Sequence, residues 1–278
     1  MTAKQYVALP LAGAALIAAG CGSGNKSSSN ASAPATPAKP AKSNPAMMSA
    51  DTGAQLQVKS PLAGTVVHRN DVPFDVGISH FNVDCRYAGK ANRMGVGHYH
   101  VELDGALINM FCSHADKVSL QNVTPGQHTL EILAAENDHT DDMKSMQKVS
   151  FEYQPTKPLP AITGEQKGAP SISIVSPKPG ATVHGGFDFT VKPKNFEFSC
   201  ALYGKPDVAG YGHWHINVDS TSKGMMGMGT MLGMSCRHTF HVSLAGIKPG
   251  PHTFFAILED NQHAPTPHKQ ASVKVNVR

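Results

Sequence analysis

The sequence predicts an all-β protein containing two tandem antiparallel sandwiches, and three observations lead there. First, the chain repeats itself. SPLAGTVVH (60–68) aligns with SPKPGATVH (176–184), FNVDC (81–85) with FEFSC (196–200), and PGQHTLEILAAENDH (125–139) with PGPHTFFAILEDNQH (249–263). Second, each copy breaks into short alternating runs such as VSFEY and VKVNV, separated by Pro, Gly and Asn turns, with no helical period. Third, the cysteines of the repeats occur two per copy at equivalent places. About 100 residues of short strands per copy suit an immunoglobulin-like antiparallel sandwich.

Taken in order, residues 1–20 read as an export signal. MTAKQYVALPLAGAALIAAGC has Lys4 ahead of an apolar run from Val7 to Ala19, too short for a stable span and broken by Pro10. Residues 21–55 are rich in Ser, Ala, Pro, Lys and Asn, and are expected to form a disordered tether. The first domain is expected over 56–154, a Pro-rich semi-rigid linker over 155–170, and the second domain over 171–278. The net charge of +4 is mild and its basic residues are scattered, so no nucleic-acid partner is expected.

Apart from Cys21, the cysteines are Cys85 with Cys112 and Cys200 with Cys236. An exported chain with an even number predicts one disulfide within each copy; metal thiolates are the competing reading.

Histidine is the unusual residue, at 15, and twelve of these fall in six repeat-equivalent pairs. In GHYHVELD, alternation puts Tyr99, Val101 and Leu103 on the core face and His98 with His100 on the other. GHWHINVD does the same with Trp214, Ile216 and Val218 against His213 and His215. Same-face neighbours on a strand stand roughly 6.5–7 Å apart, close enough to converge on one ion. His139 and His263, each in a polar loop after a strand, are the expected third ligands, with Glu136, Asn137, Asp260 and Asn261 as outer hydrogen-bond partners. His114 and His238, two residues after each second cysteine, are candidate fourth ligands. His128 and His252 read as buried, hydrogen-bonded strand-entry residues, and His68 and His184 as structural.

The second copy carries nine extra residues between its HxH strand and Cys236, including KGMMGMGTMLGMSC. Met225, Met226, Met228, Met231 and Met234 are candidate thioether ligands, which select Cu(I); an adaptable apolar patch is the alternative. Met143 and Met146 beside His139 echo this in the first copy.

Two resemblances follow from these residues. AAGC at 18–21 resembles the lipobox of bacterial lipoproteins, although Ala18 stands where Leu is usual; this implies lipidation of Cys21 and a place on the outer face of the cell membrane. The order GH-x-H strand, PG-x-HT strand, Asn/Asp-x-His loop resembles a family of secreted bacterial β-sandwich domains of unassigned activity marked by a Gly-His-His-His strand. This chain departs from it with Tyr99 or Trp214 at the middle position and with paired cysteines. More loosely, the His and Met content resembles periplasmic copper carriers. The expectation is a lipid-anchored protein binding a transition metal, copper first and zinc or nickel otherwise. The competing expectation is a duplicated module for a protein or envelope partner. No catalytic triad, paired-carboxylate motif or phosphate loop stands out, so no enzyme is expected.

Overall fold

The computed structural model describes residues 49–278; the expected signal, Cys21 and most of the tether lie outside them. The first copy contains β1 (Gln55–Ser60), β2 (Thr65–Val67), β3 (Asp71–Ser79), β4 (Asn82–Val83), β5 (Val96–Leu103), β6 (Ala106–Phe111), β7 (Ala115–Ser119), β8 (Gly126–Glu136) and β9 (Gln147–Tyr153). The second contains β10 (Ser171–Ser176), β11 (Thr182–Val183), β12 (Gly186–Lys194), β13 (Glu197–Phe198), β14 (Tyr211–Val218), β15 (Met231–Ser235), β16 (Thr239–Ser243), β17 (Gly250–Glu259) and β18 (Pro265–Val277).

Each copy is an immunoglobulin-like sandwich. A three-stranded sheet, β1-β3-β7, faces a six-stranded sheet, β2-β9-β8-β5-β4 with β6 also on β5. The second copy repeats this with β10-β12-β16 against β11-β18-β17-β14-β13 and β15 on β14. The alternation read from the sequence decides which face packs. Val72, Phe74 and Val76 of β3 bury against Tyr99, Val101, Leu130 and Ile132, and Phe189 and Val191 of β12 against Trp214, Ile216, Phe254 and Ala256. The two large core aromatics find polar partners at their rims: Tyr99 Oη donates to Ser113 O at 2.5 Å, and Trp214 Nε1 to Arg237 O at 2.7 Å. Cys85 is bonded to Cys112 and Cys200 to Cys236, as the spacing predicts.

The packed chain starts earlier than the expected boundary at 56. The backbone N–H of Ala50 donates to Asp141 O at 2.9 Å, and the Thr52 backbone and hydroxyl both donate to Asp142 Oδ2. The Pro-rich linker is held too. Gln121 and Asn122 side chains donate to the Pro160 and Ile162 carbonyls, each at 2.8 Å.

The copies pack together as one compact unit. Tyr203, Met231 and Met234 of the second copy sit in the hydrophobic core of the first. Contact is closest at two equivalent glycines, Gly89 (φ +70°) and Gly204 (φ +64°). A Cβ on Gly89 would collide with the Met231 carbonyl, and one on Gly204 with the Leu107 carbonyl of the opposite copy.

Candidate metal centres

The strand register builds the centres. β8 runs antiparallel to β5 and ends with Glu136 paired to Gly97, so the chain leaving β8 turns beside His98. That turn closes through Glu136 N–H to Thr140 O (3.0 Å) and His139 N–H to Glu136 O (3.0 Å), with His139 at φ +65°. His263 repeats the turn after β17 at φ +63°. Histidine tolerates this left-handed region better than most residues, and such conformations concentrate at functional positions. The glycine of each GH-x-H lets the strands close up. A Cβ on Gly97 or Gly212 would strike the carbonyl of Ala135 or Glu259 on the neighbouring strand.

Three ring nitrogens converge in each copy. His98 Nε2 lies 3.1 Å from His100 Nε2 and 3.0 Å from His139 Nδ1, and the last two are 3.4 Å apart. In the second copy His213 Nε2 is 3.0 Å from both His215 Nε2 and His263 Nδ1, with the remaining pair at 3.4 Å. A tetrahedral ion with metal–nitrogen bonds near 2.0–2.1 Å sets its ligand nitrogens roughly 3.3 Å apart. Both triads could therefore hold a metal ion.

The outer ring nitrogens decide which tautomers face inward. His139 Nε2 is 2.7 Å from Met231 O and His263 Nε2 is 2.8 Å from Leu107 O, so each third histidine donates across the boundary to the other copy. Its Nδ1 then points a lone pair into the triad. His100 Nδ1 donates to Asp141 Oδ1 at 2.7 Å, leaving its Nε2 lone pair inward as well. His98 Nδ1 and His213 Nδ1 are buried without a partner. The tautomer of these two rings is therefore not fixed from outside, and with Nδ1 protonated each adds a third inward lone pair, so the donor set fits a metal.

Burial keeps five of these rings in the neutral, ligating form. It pushes His98, His213 and His215 well below the usual histidine range, and His139 and His263 down to about 4, with neighbouring imidazoles adding to the effect. His215 is depressed partly by His139, and His263 partly by His100, so the two triads sense each other across the boundary.

The copies differ at the second histidine. In place of the Asp141 contact, His215 Nδ1 stands 3.7 Å from Glu259 Oε1. Despite that proximity the two are not an ion pair. Burial, with help from Asp260, raises the Glu259 carboxyl to about 9, so carboxyl and imidazole are both neutral.

Several sequence expectations need correction. His114 and His238 join neither triad; both are exposed, with Nδ1 at 3.2 and 3.4 Å from the Val76 and Val191 carbonyls of the facing sheet. Asn137, Glu136, Asp260 and Asn261 do not hold the histidine rings. Asn137 reaches Ala91 O, Glu136 accepts from Asn92, Asp260 caps its own turn, and the Asn261 side chain has no partner among the described residues. Asp141 and the carbonyls of Met231 and Leu107 take that role in their place. Of the inserted methionines, Met231 and Met234 pack in the first copy's core. Met228 lies in the turn Met225–Thr230 and faces the His139 loop, and the Met225 and Met226 side chains lie outside the described residues. Met234 is nevertheless the cross-strand neighbour of His215, and Met110, which the sequence reading passed over, is that of His100. The equivalence of Met110 and Met234 was the available signal. His128 and His252 are hydrogen-bonded strand-entry residues as expected, each bridging a carboxylate (Asp104, Asp219) and a carbonyl, but they are half-buried rather than buried.

No protein-family model and no curated protein matches this sequence. Among solved structures, the chain is similar to the fibronectin(III)-like modules of Clostridium thermocellum CbhA, with 12% identity over 81% of this chain and 94% of that one, and a TM-score of 0.26. It is similar at 17% identity to part of an endo-β-1,4-mannanase from Thermotoga petrophila, covering 42% of this chain and 21% of that one, TM-score 0.25. The chicken CNTN1 FN1–FN3 domains match at 10% identity over 80% and 63% of the two chains, TM-score 0.23.

Proposed function

We propose that this protein is a metal-binding lipoprotein on the outer face of a bacterial membrane, which carries or buffers copper in its two histidine triads and catalyses no reaction. The observation that carries the metal reading is the doubled geometry: three buried ring nitrogens within 3.4 Å of one another in each copy. Imidazole-only donor sets suit copper, zinc and nickel. Copper is preferred because two methionines, Met143 and Met228, line a cavity that borders the first triad at His139. The export signal and lipobox-like AAGC supply the anchoring part of the reading. Two acyl chains on Cys21 would suffice for stable attachment.

Elemental analysis of the purified chain, with competition among Cu(I), Cu(II), Zn(II) and Ni(II), tests the metal. Two equivalents are expected, falling by one in His98→Ala/His100→Ala and by one in His213→Ala/His215→Ala. A folded parent chain that holds no metal would overturn this reading and leave a duplicated immunoglobulin-like module for a protein or envelope partner. Fractionation of Cys21→Ala tests the anchor. Membrane retention equal to the parent would overturn it.

A further inference from the structure

Both triads are buried, so an ion that enters or leaves must pass through the surrounding wall. At the first triad a cavity borders that wall at His139. This cavity, of about 620 Å³, is lined by His139 itself, by the carboxylates of Glu136, Asp138 and Asp141, and by the thioethers of Met143 and Met228. Asp141, which grips His100, has a side chain 25% exposed, whereas Glu259 beside His215 is only 5% exposed. The cavity therefore borders one ligand of the first triad, His139, and the carboxylate that positions a second, His100.

The two thioethers arrive from distant chain segments. Met143 belongs to the short turn following the His139 loop, and Met228 to the extra residues of the second copy. That insertion therefore lines a cavity beside the first copy's triad. Among the described residues the lining holds three carboxylates and no Lys or Arg, which favours cations. Thioethers add a choice among cations, since sulfur prefers soft monovalent ions to Zn(II).

We propose that this cavity is a loading port, in which Cu(I) docks on Met143 and Met228 before passing to His98, His100 and His139. The inference rests on the metal reading above and adds the route and the oxidation state. The transfer is ligand exchange without redox change. Metal–thioether bonds break as metal–imidazole bonds form.

Cu(I) presented to the full chain on a colorimetric chelator, followed by stopped flow, reads the transfer rate. Met143→Leu/Met228→Leu keeps volume and apolarity. It is expected to slow Cu(I) uptake by about tenfold or more while Zn(II) uptake stays within about twofold of the parent. Unchanged Cu(I) uptake, or equal slowing of both ions, would overturn the port. A parent chain that binds no metal at equilibrium would overturn the metal reading and the port with it. As a second measurement, Ag(I) added to full-length His98→Ala/His100→Ala should still shift the methyl resonances of Met143 and Met228. Unshifted resonances would also overturn the port.

Discussion

His139 Nε2 stands 2.7 Å from the backbone carbonyl of Met231, in the other copy of the repeat, and His263 Nε2 repeats the contact to Leu107 at 2.8 Å. Each copy thus orients the third ligand of its partner's centre. A backbone carbonyl cannot be mutated away, but its approach can be blocked at the glycine beneath it.

Gly89→Ala should push the Met231 carbonyl away and weaken the first centre, while Gly204→Ala should do the same to the second through Leu107. Loss of an outer hydrogen-bond partner typically costs 10–100-fold in affinity, so about that range is expected from chelator competition. Gly64→Ala is the control, since Gly64 has φ +77° but no neighbour within reach of a new Cβ. Equal effects at all three positions would mean that backbone strain, not the cross-copy contact, sets affinity.

Asp141→Asn should lower affinity at the first centre by about 10–100-fold, because the carboxylate contact at 2.7 Å fixes the tautomer and orientation of His100. Glu259→Gln should change the second centre far less. Its carboxyl is 3.7 Å away and already protonated, so the amide is close to an isosteric copy. Titration with each centre isolated by His→Ala changes at the other separates the two effects.

The same Glu259 substitution should stabilise the metal-free protein at neutral pH. A carboxyl raised to about 9 in the fold but ionising near 4.5 when unfolded loses stability as pH rises between those values. Gln removes that loss. Denaturant midpoints of parent and variant should therefore diverge from pH 5 to pH 8, with the variant higher; coincident midpoints would show that Glu259 is not held protonated.

His139 and His263 act in the opposite direction. Their folded values, about 4, lie below the ordinary 6.5, so the unfolded chain takes up protons first as pH falls. The contribution of these two rings to the stability of the metal-free protein is present above about pH 6.5 and lost progressively towards pH 4, on the order of 3 kcal/mol for each ring. Thermal melts across that interval should fall steeply in the parent and less so in His139→Phe/His263→Phe. Parallel curves would sink this assignment.

The disulfides close loops with sequence separations of 27 and 36. Each should contribute about 3–4 kcal/mol in the chain-entropy picture. Non-reducing peptide mapping should return only Cys85–Cys112 and Cys200–Cys236 among these four cysteines, and Cys112→Ser should lower the melting temperature. Four freely alkylated thiols would contradict the pairing.

Much of this protein was legible in its sequence because the governing rules are local. Period-two alternation put Tyr99 and Trp214 inward and the histidine pairs on the opposite face, and duplication exposed both the sandwich and the third histidine of each triad. The cysteine spacing likewise announced one bond per copy. Tertiary structure alone decided that the histidine face is buried, since the second sandwich that covers it docks through contacts between residues 92 and 156 positions apart. It also chose Asp141 over the nearer Glu136 and Asn137, because a turn's exit direction, not its sequence distance, sets which side chain reaches a ring. Met231 and Met234 went to the first copy's core for the same reason: two apolar sheet faces met, and burial there outweighed what their sulfur chemistry suggested.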